Sequence, residues 1–137
     1  GLAYMAGTAL TSVAQVTAWF IGLYGAGASN TPAAADTMSS HAGWTENVGY
    51  SNATRVACTF VTATTANPSV ATNTASPASF NINATSTVGG AFLTSGSAKS
   101  GTAGTLFSAV DFSAPGDRAV TSGDTLNVTY TFSLDAA

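Results

Sequence analysis

The chain has 137 residues and one cysteine. A single domain of that size buries a sizeable core without disulfides or metal. Only 7 % of its residues are charged, against about 25 % in an average soluble domain, and the net charge is -3, with Arg55, Lys99 and Arg118 as the only basic side chains. These figures exclude nucleic-acid binding by phosphate neutralisation and leave too few thiols for a cysteine metal site. They also imply a surface of Ser, Thr, Asn and Gly that tolerates close packing against other protein.

Residues 1–16 carry no charge, and Leu2, Tyr4, Met5, Leu10, Val13 and Val16 follow neither period 2 nor period 3.6. The segment reads as an N-terminal arm that orders on a partner, with Leu2, Tyr4, Met5, Leu10 and Val13 as its contact residues. That partner is expected to be a second copy, giving a dimer or trimer. The start lacks the basic region of a signal peptide, so none is expected, and no run of about 18 apolar residues is present to span a membrane.

Residues 17–137 read as one β domain. "TAWFIGLYG" (17–25) is the first strand, with Trp19, Ile21 and Leu23 on one face, Phe20 and Tyr24 on the other, and burial expected on both. "GAGASNTP" breaks it. "AAADTMSSHAG" is the one helical candidate, a turn or two with Asp36 as N-cap and Gly43 as the stop. "ATRVACTFVT" (53–62) is β-branched and aromatic, and its Cys58 reads as a small buried hydrophobe. Residues 66–77 form a loop with a short edge strand. In "SFNINAT" (79–85), Phe80, Ile82 and Ala84 alternate with polar partners. "TVGGAFLT" (87–94) is a strand in which Gly89-Gly90 marks a bulge or a close backbone approach. Strands follow at 105–112 and 118–120, separated and followed by the turns "APGD" and "TSGD". Finally, Leu126, Val128, Tyr130, Phe132 and Leu134 alternate without a miss through "TLNVTYTFSL" (125–134), which predicts one half-buried strand in a central position. Seven or eight short strands with frequent turns make an all-β antiparallel sandwich.

The chemistry-bearing residues cluster in "DTMSSHAGWTE" (36–46), which holds the only His, the only Glu, an Asp and a Trp. A Ser-His-Asp site needs three converging side chains, and His41 is the only imidazole; no G-x-S-x-G elbow accompanies it. Its position between small residues in a tight turn points to a bond with a backbone group. Asp36 and Glu46 form the only acid pair beside an aromatic, as a glycosidase would require. A sugar-binding module is a further alternative, resting on exposed aromatics. Trp44, next to Gly43, reads instead as a packing anchor. No ligand spacing for a metal is present, no cofactor is expected, and the Asn52, Asn83 and Asn127 triplets arise by chance in a Thr-rich chain.

Read together and in order, "WFIGLYG", "AAADTMSSHAGWTE", "YSNATR", "ASPASFNINATSTVGGAFLTS", "KSGTAGTLFSAVDF" and "VTSGDTLNVTYTFSL" resemble a family of small virion proteins of tailed double-stranded DNA phages, the capsid cement or decoration proteins. The resemblance runs from about residue 17 to the end. It implies a jelly-roll or similar β-sandwich, no enzymatic activity, and a place on the outer surface of the capsid, where the protein clamps neighbouring major capsid protein subunits. On this view Asp36 caps a turn, Gly43 permits the reversal, Trp44 anchors the segment, and His41 and Glu46 hold the loop or touch a neighbour. Another virion role, in the tail or in head completion, is the other alternative.

Overall fold

The pairing of large apolar side chains across neighbouring strands sets the architecture. The computed structural model describes residues 1–26, 31–113 and 115–136, apart from the Leu2 side chain. Two strands form the spine, β1 (Trp19–Gly25) and β6 (Ser86–Thr94), paired antiparallel from Phe20↔Thr94 to Gly25↔Val88. The free edge of β1 is shared by β2 (Glu46–Asn47) and β3 (Val56–Cys58), and that of β6 by β7 (Leu106–Asp111) and β8 (Arg118–Val120). This antiparallel sheet of six strands faces two antiparallel pairs. One joins β4 (Ser69–Thr72) to β10 (Thr131–Leu134); the other joins β5 (Ala78–Asn81) to β9 (Thr125–Val128). The all-β antiparallel sandwich expected from the strand count is what forms.

Strand alternation sends the side chains of β1 and β6 to opposite faces, and each face has its own core. Ile21, Leu23, Val88 and Leu93 pack against Phe80, Ile82, Tyr50 and Val128 of the second layer. On the other face, Tyr24 and Phe92 pack with Met38, Trp44 and Leu106. The burial expected on both sides of 17–25 is therefore present. The second core rests on a reciprocal arrangement of glycines and rings. Gly22 pairs with Phe92, and a Cβ on Gly22 would lie 2.2 Å from the Phe92 ring; Gly90 pairs with Tyr24, and a Cβ there would lie 2.2 Å from the Tyr24 hydroxyl. Each glycine leaves the space over which its partner's ring lies. The pairing register skips Gly89, so Gly89-Gly90 supplies both the bulge and the close approach.

The run 125–134 is not one central strand. It splits into β9 and β10, which belong to different pairs. The cause is Asn73, which is fully buried. Its Oδ1 accepts the Tyr130 N–H at 2.7 Å, its backbone N–H donates to the Tyr130 carbonyl at 3.2 Å, and its Nδ2 donates to the Val128 carbonyl at 3.3 Å. A single side chain thus takes the place of a strand partner where the chain passes from one pair to the other. The apolar alternation survives the break: Val128 is buried, Tyr130 and Phe132 are half-buried, and Thr129 and Thr131 are exposed, although Leu134 is exposed as well.

Four further expectations need correction. Residues 2–10 form a helix, α1 (Leu2–Leu10), where no helical period was legible. Ala, Leu and Met favour helix intrinsically, and the Tyr4 ring supplies an anchor on the domain through edge contacts with Trp19 and Phe107. Conversely, "AAADTMSSHAG" forms turns rather than helix, closed by mutual backbone bonds between Thr37 and Ser40. The Asp and Ser side chains there compete with the helical ladder for the backbone. The strand expected over 53–62 is confined to 56–58; beyond it Val61 and Thr64 donate their N–H groups to Thr72 and Val70 on β4. Ala84 is exposed, outside the alternation that buries Phe80 and Ile82.

Candidate functional site

The segment 36–46 is built around Trp44, which is 4 % exposed. Its indole packs on Phe92 and Tyr24, with ring centroids 4.9 and 5.6 Å away, and its Nε1–H donates to Asp36 Oδ2 at 3.0 Å. The same carboxylate oxygen accepts the Ala33 N–H at 2.9 Å. Asp36 therefore caps a turn and ties the indole to it, but caps no helix. His41 stacks on the indole at 3.9 Å, and its Nδ1 lies 3.0 Å from the Trp44 carbonyl. A carbonyl only accepts, so Nδ1 carries the proton in that bond. Gly43 does not stop a helix; it allows the strand-like approach of Thr31, whose N–H donates to the Gly43 carbonyl and whose own carbonyl would lie 2.4 Å from a Cβ at 43.

Glu46 stands apart from this group. Its two carboxylate oxygens accept Arg55 Nε at 2.9 Å and a terminal guanidinium nitrogen at 2.7 Å, and the Ser100 N–H adds a third bond at 2.8 Å. Arg55 also donates to the Gly96 and Gly101 carbonyls, at 2.9 and 3.0 Å. Its guanidinium lies 5.1 Å from the Phe92 ring centre. The two side chains are 1 % and 8 % exposed, so this is a buried ion pair that fastens the loop 95–104 to the sheet. Arg55 was missed by sequence reasoning. Its signal was present, as the one cation flanking the apolar run that ends in Cys58, with a single Glu in the chain to neutralise it.

Asp36, His41, Gly43 and Trp44 thus converge, but on one another, and each polar head is engaged in holding the segment. Among the described residues no group of three His, Cys, Asp or Glu side chains gathers as metal ligands do. Replacing His41 with Ala should lower stability by only about 1 kcal/mol, through the lost stack and the Trp44 carbonyl bond; a thermal melt checks this, and a shift several times larger would give His41 a role beyond the loop. The Cys58 thiol is buried, and burial pushes it up to about 11, away from the thiolate that reacts.

The second candidate surface is N-terminal. Tyr4 and Met5 are half-buried against the domain, whereas Leu10 and Val13 are 84 % and 48 % exposed; the Leu2 side chain lies outside the described residues. Between α1 and the sandwich lies an uncharged groove of about 510 Å³, walled by Tyr4, Trp19, Phe60, Phe107, Tyr130 and Phe132. Trp19 and Phe107 meet edge to face at 5.4 Å, as do Phe107 and Phe132 at 5.6 Å. The hydroxyls on these rings are internally satisfied: Tyr130 Oη pairs with Ser108 Oγ at 2.7 Å, and Tyr4 Oη accepts the Val16 N–H.

No protein-family model, curated protein or solved structure matches this chain. Among the described residues, no helix is long and apolar enough to cross a membrane.

Proposed function

We propose that this protein is a structural virion component, a capsid cement or decoration protein that binds the outside of a phage head and stabilises contacts between major capsid protein subunits. The reading rests on the ordered resemblance of six segments to that family and on the nature of the molecule's contact surface. The observation that carries it is the N-terminal segment, which leaves Leu10 and Val13 exposed and encloses an uncharged aromatic groove against the sandwich. Apolar surface of this kind serves contact with protein rather than with charged small molecules. The acid-base groups that suggested catalysis are consumed in structure: Asp36 by Trp44, His41 by the Trp44 carbonyl and Glu46 by Arg55. The Trp44 ring, buried on one side and covered by His41 on the other, presents no platform for a sugar.

The deciding measurement is the protein's copy number relative to the major capsid protein in purified virions. A cement role requires it in numbers comparable to the shell, and deletion of residues 1–16 should reduce occupancy on heads while the sandwich stays folded. A few copies per particle, confined to the tail, would favour a tail or head-completion role instead.

A further inference from the structure

A helix of nine residues is too short to persist by itself in water, where about 12–15 residues are marginal. α1 has no side-chain N-cap, no acid in its first turn, no base in its last, and Gly7 at its middle. It is held from two sides. The following chain folds back on it: Thr11 bonds the Gly7 carbonyl through both its N–H and its hydroxyl, and the Val16 N–H donates to the Tyr4 hydroxyl. Val13 fills the space that Gly7 leaves, since a Cβ at 7 would lie 2.8 Å from a Val13 methyl. Residues 1–16 are therefore one self-closed unit. Its attachment to the sandwich is thin by comparison. The Tyr4 ring meets Trp19 at 5.6 Å and Phe107 at 6.3 Å, and the Gly1 nitrogen reaches the Leu106 carbonyl at only 3.5 Å. The 510 Å³ groove separates much of the rest.

We infer that residues 1–16 are a strap that opens and closes as a unit over the Trp19–Phe107 rings, with Tyr4 as its latch and residues 17–18 as its hinge. Closed, the strap shields those rings; open, it frees Tyr4 and Met5 and bares the aromatic floor. Elements with few buried contacts open far more often than the fold unfolds. The inference concerns the isolated protein, so it fails or stands separately from the assignment to phage heads.

Residue-resolved hydrogen exchange on the full chain tests it. In the wild type, the amides of residues 5–11 should exchange at one common rate, slower than in a free peptide but at least about a hundredfold faster than those of β1 and β6. Tyr4→Ala should speed residues 5–11 by about tenfold or more, leaving β6 unchanged, whereas Leu10→Ala, at an exposed position, should alter them by less than about twofold. The inference is overturned if residues 5–11 are as slow as β6 in the wild type, or as fast as a free peptide. It is equally overturned if Tyr4→Ala leaves their rate unchanged, or accelerates β6 along with them.

Discussion

Replacing Arg55 with Ala should destabilise the protein by about 3–5 kcal/mol, the cost of leaving a buried carboxylate without its partner. Both side chains of the pair are almost wholly out of water, so solvent screens little of the loss. The damage extends past Glu46, because the Gly96 and Gly101 carbonyls lose their donors and the loop 95–104 loses its tie to the sheet. A drop in melting temperature on the order of 10–20 °C would accompany it. A control separates charge from connectivity: Arg55→Met combined with Glu46→Leu removes both charges at once. That double variant should be more stable than Arg55→Ala yet remain below the wild type, since the Ser100 N–H and the two glycine carbonyls stay unpaired. Urea denaturation of the three proteins gives the comparison. A loss below about 1 kcal/mol in Arg55→Ala would mean that the pair is solvated in solution.

Trp44→Ala should cost a similar amount, about 3–5 kcal/mol, by opening a cavity beside Phe92 and Tyr24. The indole is also what His41 rests on and what Asp36 holds, so the turns between 31 and 46 should loosen together. Trp44→Phe keeps a ring in the core and removes only the Nε1–H bond, and should cost about 1–2 kcal/mol. Differential scanning calorimetry distinguishes the two variants. An unchanged melting temperature in Trp44→Ala, together with loss of sugar binding by the protein, would reverse the assignment of this residue from packing to recognition.

The parts of the fold legible in the sequence were those governed by alternation along a single strand. β1 and β6 lie where β-branched and aromatic residues gather between turn signals, β8 fills the short stretch between two turns, and the two-sided burial of 17–25 follows from large residues on both faces. What escaped notice depends on partners distant in the chain. The break between β9 and β10 is imposed by Asn73, some 57 residues before Tyr130, and no local pattern at 125–134 announces it. α1 is helical because Tyr4 has Trp19 and Phe107 to dock on, not because its apolar residues are periodic. At the candidate site the cluster 36–46 was recognisable by residue type; Trp44 is buried, and Asp36 holds a turn and the indole rather than a helix N-terminus. Glu46 required knowledge of where Arg55 falls, which strand pairing alone decides.

The reciprocal glycine–aromatic pairs of β1 and β6 bear on how such a chain can diverge. Position 22 has room for a larger residue only if position 92 surrenders its ring, whereas position 90 is closed on two sides, by the Tyr24 hydroxyl and by the Val110 carbonyl, 2.4 Å from a Cβ there. A lone substitution at either glycine thus meets an immediate barrier, and only at 22 does a coordinated change, with 92, remove it. Elsewhere, exposed Ser, Thr and Asn side chains that make no such contact change at a cost of about 0.5 kcal/mol or less. Lineages descended from this sequence should therefore lose overall identity quickly while position 90 stays glycine and positions 22 and 92 change only together, a signature by which remote kin could be found when ordinary similarity has faded.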